Sequence, residues 1–185
     1  NTGAAPRSVF VSGRYAYVTN WSANSLFTAD ISNPYSPRNV STTTVAGNPT
    51  SVYVSGRYAY VTSFNGLSTI DISSSTAPVV LSLSSGTNAQ SVFVSGRYAY
   101  VANTGSSSLS IVDISNPKAP TVVSTTNTGT NPISIYVSGQ FAYIANLTAD
   151  NISIFNISNP RSPVLVSTLA TGDRPNGIYI SGRYA

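Results

Sequence analysis

The chain has 185 residues with no Cys, no Met and no His, and all five of its acidic residues are Asp. Without thiolate or imidazole, the usual zinc, haem and iron–sulfur ligand sets are missing, as are nucleophilic triads built on His or Cys. Charged residues make up 8% of the chain and the net charge is +4, while the length suits one domain with a sizeable core.

The chain opens on Asn1-Thr2-Gly3-Ala4-Ala5-Pro6, with neither an initiator Met nor a charged-then-apolar leader pattern. A processed, cut or partial chain is therefore expected. No apolar run approaches the roughly 18 residues that a membrane span requires. Absence of Cys excludes a disulfide scaffold and leaves the compartment open.

From Ser8 onward the chain repeats itself. Ser-Val-Phe-Val-Ser-Gly-Arg-Tyr-Ala-Tyr-Val returns, barely altered, at Ser51, Ser91 and Ser134, and a fragment of a fifth copy runs from Gly177 to Ala185. The anchoring glycines Gly13, Gly56, Gly96, Gly139 and Gly182 are 43, 40, 43 and 43 residues apart, a period suited to four-stranded propeller blades.

Each copy predicts four strands. In the first, strand A covers Val9 to Ser12 and strand B covers Tyr15 to Thr19, joined by a tight turn where Gly13 supplies positive φ. Strand C runs from Leu26 to Ile31, or from Leu109 to Ile114 in the third copy. The bends Asn33–Pro37, Asn116–Pro120 and Asn159–Pro163 carry two prolines each, which mark the C–D connection rather than a central strand. Strand D is the Val-Ser-Thr run at Val40, Val123 and Val166. The fold expected is all-β: a β-propeller of four-stranded antiparallel blades over residues 8–47, 51–86, 91–130 and 134–172. Residues 177–185 would be the first strand and turn of a further blade, in an open or partial propeller.

Pairing A with B puts Phe10, Tyr15 and Tyr17 on one face and Val9, Val11, Ala16 and Val18 on the other. Both faces are apolar, as a sheet sandwiched between neighbours requires. The tyrosines are therefore read as core packing rather than as a ligand platform. Arg14, Arg57 and Arg97 open strand B, and Asp30, Asp71 and Asp113 end strand C. In the fourth copy both positions change together, to Gln140 and Asn156. This predicts a cross-strand ion pair in three blades and a neutral amide pair in the fourth.

Leu109-Ser-Ile-Val-Asp-Ile-Ser-Asn-Pro-Lys-Ala-Pro120 resembles the LVIVD repeat, and Tyr17-Val-Thr-Asn20 resembles the YVTN repeat of surface-layer propellers. Copy two departs from the pattern, with Ser73-Ser-Ser-Thr-Ala-Pro78 lacking the Asn-Pro pair, and copy four has Asn156 in place of Asp. The resemblance implies a β-propeller, often secreted or on the cell surface of prokaryotes, and brings no catalytic residues with it.

In a propeller the A–B and C–D connections share one rim face, and the B–C and D–A connections share the other. The first pair hardly varies between copies, whereas the second does, and variable loops on a rigid scaffold are a usual place for recognition. Trp21 and Phe64 occupy equivalent B–C positions beside Asn24 and Asn65. They either stack a sugar or anchor a protein, or fold back over the blade edge. Asn48, Asn88, Gln90, Asn131 and Arg174 of the D–A region and Asn151 of the fourth blade are further candidates. These bind a ligand or simply cap turns. Arg38, Lys118 and Arg161 lie in C–D bends, with no Lys/Arg cluster of the kind that neutralises many phosphates.

The Asn-x-Ser/Thr triplets at Asn20, Asn39, Asn146, Asn151 and Asn156 matter only in a host that glycosylates secreted proteins. No metal spacing, carboxylate pair or phosphate loop is present, so no cofactor and no metal is expected. These features predict a non-enzymatic recognition module, extracellular or on the cell surface, with a glycan or protein partner and no nucleic acid. A pure surface-layer or adhesin scaffold is the alternative. A hydrolase or lyase survives only through residues outside this stretch. Exposed apolar blade faces at each end predict contact with further blades of the same polypeptide or self-association.

Overall fold

The computed structural model describes residues 4–85 and 88–185, the side chains of residues 83–85 excepted. Gly86, the expected end of the second blade, lies outside the described residues. The first blade consists of β1 (Pro6–Ser12), β2 (Tyr15–Asn20), β3 (Ser25–Asp30) and β4 (Arg38–Thr44). The second has β5 (Ser51–Ser55), β6 (Tyr58–Ser63), β7 (Gly66–Asp71) and β8 (Val79–Ser85). The third has β9 (Ala89–Ser95), β10 (Tyr98–Asn103), β11 (Ser108–Asp113) and β12 (Thr121–Asn127). The fourth has β13 (Pro132–Ser138), β14 (Phe141–Asn146), β15 (Asn151–Asn156) and β16 (Val164–Ala170). Each forms one antiparallel sheet whose strands lie side by side in chain order, and among the described residues no helix is long and apolar enough to cross a membrane.

The A–B hairpins turn through Gly13, Gly56, Gly96 and Gly139, with φ between 56° and 58°. No heavy atom would meet an added Cβ at any of them, so backbone conformation alone demands glycine there. Phe10 pairs with Tyr17 and Val11 with Ala16, which sorts aromatic and aliphatic side chains to opposite faces. The aromatic face of each blade packs on the aliphatic face of the next. Tyr17 and Leu26 meet Val52, Val54, Val61 and Ile70. Tyr60 and Leu67 meet Val92, Val101 and Val112, and Tyr100 and Ile111 meet Ile135, Ile144 and Phe155.

The first strands of successive blades lie beside one another, and an aromatic column crosses them. Ring centroids are 4.8 Å apart for Phe10–Tyr53, 5.0 Å for Tyr53–Phe93 and 4.8 Å for Phe93–Tyr136. A hydroxyl also joins blades: Ser8 accepts from the Val52 N–H, and Ser91 from that of Ile135. The fifth copy continues both devices. Tyr179 lies 5.0 Å from Tyr136, and the Ile178 N–H donates to Ser134. The fourth blade therefore meets a next copy rather than the first blade. Val9 and Val11 stay 62% and 56% exposed, and the arc is open.

Two expectations need correcting. Strand A starts earlier than Ser8, Ser91 or Ser134, at Pro6, Ala89 and Pro132, because a bulge adds one residue at its start. In residues 177–185 the expected strand is absent, and only an isolated bridge between Ser181 and Tyr184 forms.

Candidate functional site

The B–C and D–A loops are tied to one another, residue by residue. Asn24, Asn48, Asn88, Asn131 and Arg174 all adopt positive φ, as do Ser107 and Asp150. At most of these positions Asn or Asp makes αL affordable. The loop of one blade then clasps the loop that follows it. The Asn48 N–H donates to Asn24 Oδ1 at 2.7 Å, and the Arg174 N–H to Asp150 Oδ1 at 2.9 Å. Asn88 bridges two blades, since its N–H donates to the Phe64 carbonyl while its own carbonyl accepts from the Thr104 N–H. The Asn131 amide reaches Thr148 Oγ1, and the Asn131 carbonyl accepts from the Leu147 N–H. These asparagines hold the loops in place.

That framework fixes an aromatic pair. The Trp21 N–H donates to the Ala5 carbonyl, and the Trp21 carbonyl accepts from Asn48 Nδ2. The Phe64 N–H donates to the Gly47 carbonyl. Gly47 has φ +87°, and a Cβ there would lie 2.6 Å from the Asn65 side chain, so glycine is needed at this turn. The two rings meet edge to face, with centroids 6.0 Å apart at 81°. Trp21 is half-buried and Phe64 is 42% exposed, so the pair forms a surface rather than a core. The equivalent positions in the other blades hold Thr104 and Leu147, and Thr104 spends its hydroxyl on the Pro132 carbonyl.

Arg7 completes this cluster and was not among the sequence candidates. It is the extra residue of the β1 bulge, for Pro6 pairs with Asn20 and Ser8 with Thr19. A bulge re-aims its side chain, and here the guanidinium carbon lies 5.4 Å from the Trp21 ring centroid. Gln90 holds the same bulge position in the third blade and Ile133 in the fourth. A comparison of the residue just before each repeat would have singled out Arg7 as the cation of that column. Asn151 lies apart, its Oδ1 accepting from the buried Asn146. Arg174 lines a hollow with Asp150, Asp173, Leu147 and Thr148.

The paired charges sit at the other ends of the strands. Arg14, Arg57 and Arg97 bond Asp30, Asp71 and Asp113, and each guanidinium also lies over the following Tyr ring at 5.4 Å. The arginine hydrogen bond, helped by Ser32, Ser73 and Ser115, holds these carboxyls well below the ordinary carboxylate range. The neutral pair expected in the fourth blade is a correction. Gln140 and Asn156 share no side-chain hydrogen bond among the described residues, although Asn156 Oδ1 accepts from the Ser158 N–H just as Asp30, Asp71 and Asp113 accept from Ser32, Ser73 and Ser115. Without a charge, nothing pulls the long Gln side chain across.

The match to the LVIVD repeat model covers residues 3–44, 46–84, 86–128 and 131–171. The chain belongs to the LVIVD repeat family. Among curated proteins, none matches it. Solved structures share its fold at low identity. A functionally unknown protein from Desulfotomaculum acetoxidans is 16% identical at TM-score 0.81, over 95% of this chain and 59% of its own. A Bacteroides uniformis protein, provisionally named a 6-phosphogluconolactonase, is 15% identical at TM-score 0.83, over 94% and 60%. The periplasmic gluconolactonase of Pseudomonas aeruginosa is 18% identical at TM-score 0.81, over 92% and 55%. The LVIVD-repeat chain thus spans less than two thirds of the length of these relatives.

The expectation that this chain is not an enzyme is overturned by those last two relatives. Their fold, which is this fold, carries named lactonases, so the propeller architecture gives no ground for excluding an enzyme. At these identities the likeness itself shows the fold alone.

Proposed function

We propose that this LVIVD-repeat arc binds a sugar on its B–C/D–A loop face, with Trp21 and Phe64 as the stacking surface. One observation carries the reading: a tryptophan and a half-exposed phenylalanine from neighbouring blades, held edge to face by pinned loops. Such rings offer apolar area to the C–H face of a pyranose at small entropic cost, because the loops are already ordered. The setting we propose is extracellular or at the cell surface. Trp21 is the single tryptophan of the chain, so its fluorescence reports directly on this surface. A glycan array followed by fluorescence titration should find a saccharide that shifts Trp21 emission, with binding lost in Trp21→Ala and Phe64→Ala. Binding that survives both changes would move the site elsewhere. No binding together with ordered self-assembly would favour a scaffold.

A second reading takes its substrate class from the names of the fold relatives, sugar lactones. Incubation with glucono-δ-lactone under pH-stat control tests it, and acid release above the spontaneous rate would support it.

A further inference from the structure

We infer that the sugar taken by this surface carries an anionic group, a carboxylate or a phosphate, which Arg7 receives. The inference rests on the sugar-binding reading and deepens it. Three strand-turn arginines of the chain are already neutralised by Asp30, Asp71 and Asp113. The two remaining acids, Asp150 and Asp173, lie with Arg174 at the fourth blade. Arg7 has no carboxylate partner among the described residues, and it is exposed. Its position follows from the bulge in β1, which points the one cation of that column at Trp21.

The chemistry of the pair is complementary. A guanidinium lying over an indole satisfies its flat face against the ring and leaves its N–H edge free. That edge donates two parallel hydrogen bonds to a carboxylate or phosphate. A neutral sugar would use the Trp21 and Phe64 rings and leave the Arg7 edge to water. An acidic sugar would use both. The first blades alone are built this way, since Gln90 and Ile133 put no charge at the bulge, and Thr104 and Leu147 put no aromatic ring in the loop.

The test uses the whole chain and the Trp21 signal, with matched oligosaccharides ending in glucose, glucuronate or glucose 6-phosphate. Charge-assisted bonds of this kind predict an anionic probe binding about tenfold or more tightly than the neutral one. Arg7→Gln should abolish the preference, so that the anionic and neutral probes bind this variant with equal affinity. Arg7→Lys should retain part of the preference, and added salt should weaken only the anionic probe. Whichever anionic probe binds more tightly identifies carboxylate or phosphate as the source. Equal affinity for neutral and anionic probes, or a preference that survives Arg7→Gln, overturns the inference while leaving sugar binding standing. Failure of all three probes to bind overturns both.

Discussion

Single residues in this chain can be judged against their counterparts one period away. Thr28 and Thr69 are fully buried, and neither hydroxyl has a hydrogen-bond partner. The same column holds Ile111 and Ile154 in the later blades, opposite Tyr100 and Tyr143. A buried, unmet hydroxyl is costly, so Thr69→Val should raise stability by about 1 kcal/mol, read from the urea midpoint. The Arg–Asp pairs predict a pH effect. The folded-state pKa of Asp71 lies below the unfolded value because Arg57 bonds its carboxylate. Its stabilising contribution is therefore present above about pH 4 and is lost as pH falls further. Asp71→Asn should flatten the loss of stability between neutral and acid pH, and an unchanged profile by thermal melts at several pH values would remove the pair from the account.

Blades, as elements, are joined by a latch that one copy lacks. Ser82 Oγ donates to the Pro117 carbonyl at 3.0 Å and Ser124 Oγ to the Pro160 carbonyl at 2.7 Å, each reaching from the outer strand of one blade to the C–D bend of the next. Ser41 should do likewise, but the bend it faces is Ser73-Ser-Ser-Thr-Ala-Pro78, without the Asn-Pro pair, and its buried Oγ has no partner. Ser124→Ala should then cost about 1 kcal/mol, while Ser41→Ala should be neutral or stabilising. Equal costs in chemical denaturation would show that the latch contributes nothing. The departure of copy two was visible in the sequence, but its consequence was not, because the hydroxyl it strands belongs to the preceding blade.

At the scale of the whole molecule, the open arc leaves complementary faces uncovered. Val9 and Val11 present the aliphatic face that Val52 and Val54 bury one blade later, and Val166 of β16 is more than half exposed where its counterpart Val123 packs on the next blade. Each blade interface buries an apolar area that water disfavours, so the same faces should drive association between copies of this chain. Replacing Val9 and Val11 with Lys should lower the sedimentation coefficient at high concentration toward that of a monomer. A wild-type chain that sediments as a monomer throughout would refute this.

Periodic features were legible without coordinates. The 43-residue step, the glycine turns, the sorted faces and the Arg–Asp partnership all recur, and a recurring pattern reports the local geometry that every copy shares. The candidate site was legible only in part. Trp21 and Phe64 stood out as aromatic side chains in a variable loop, and the positive-φ asparagines as turn formers. Arg7 did not, because its aim depends on a bulge one residue long, and a bulge shifts register without leaving a mark in hydrophobic alternation. The meeting of Trp21 with Phe64 joins residues 43 positions apart in the chain. Such contacts depend on how neighbouring blades pack, and packing, unlike period, is settled between elements rather than within them.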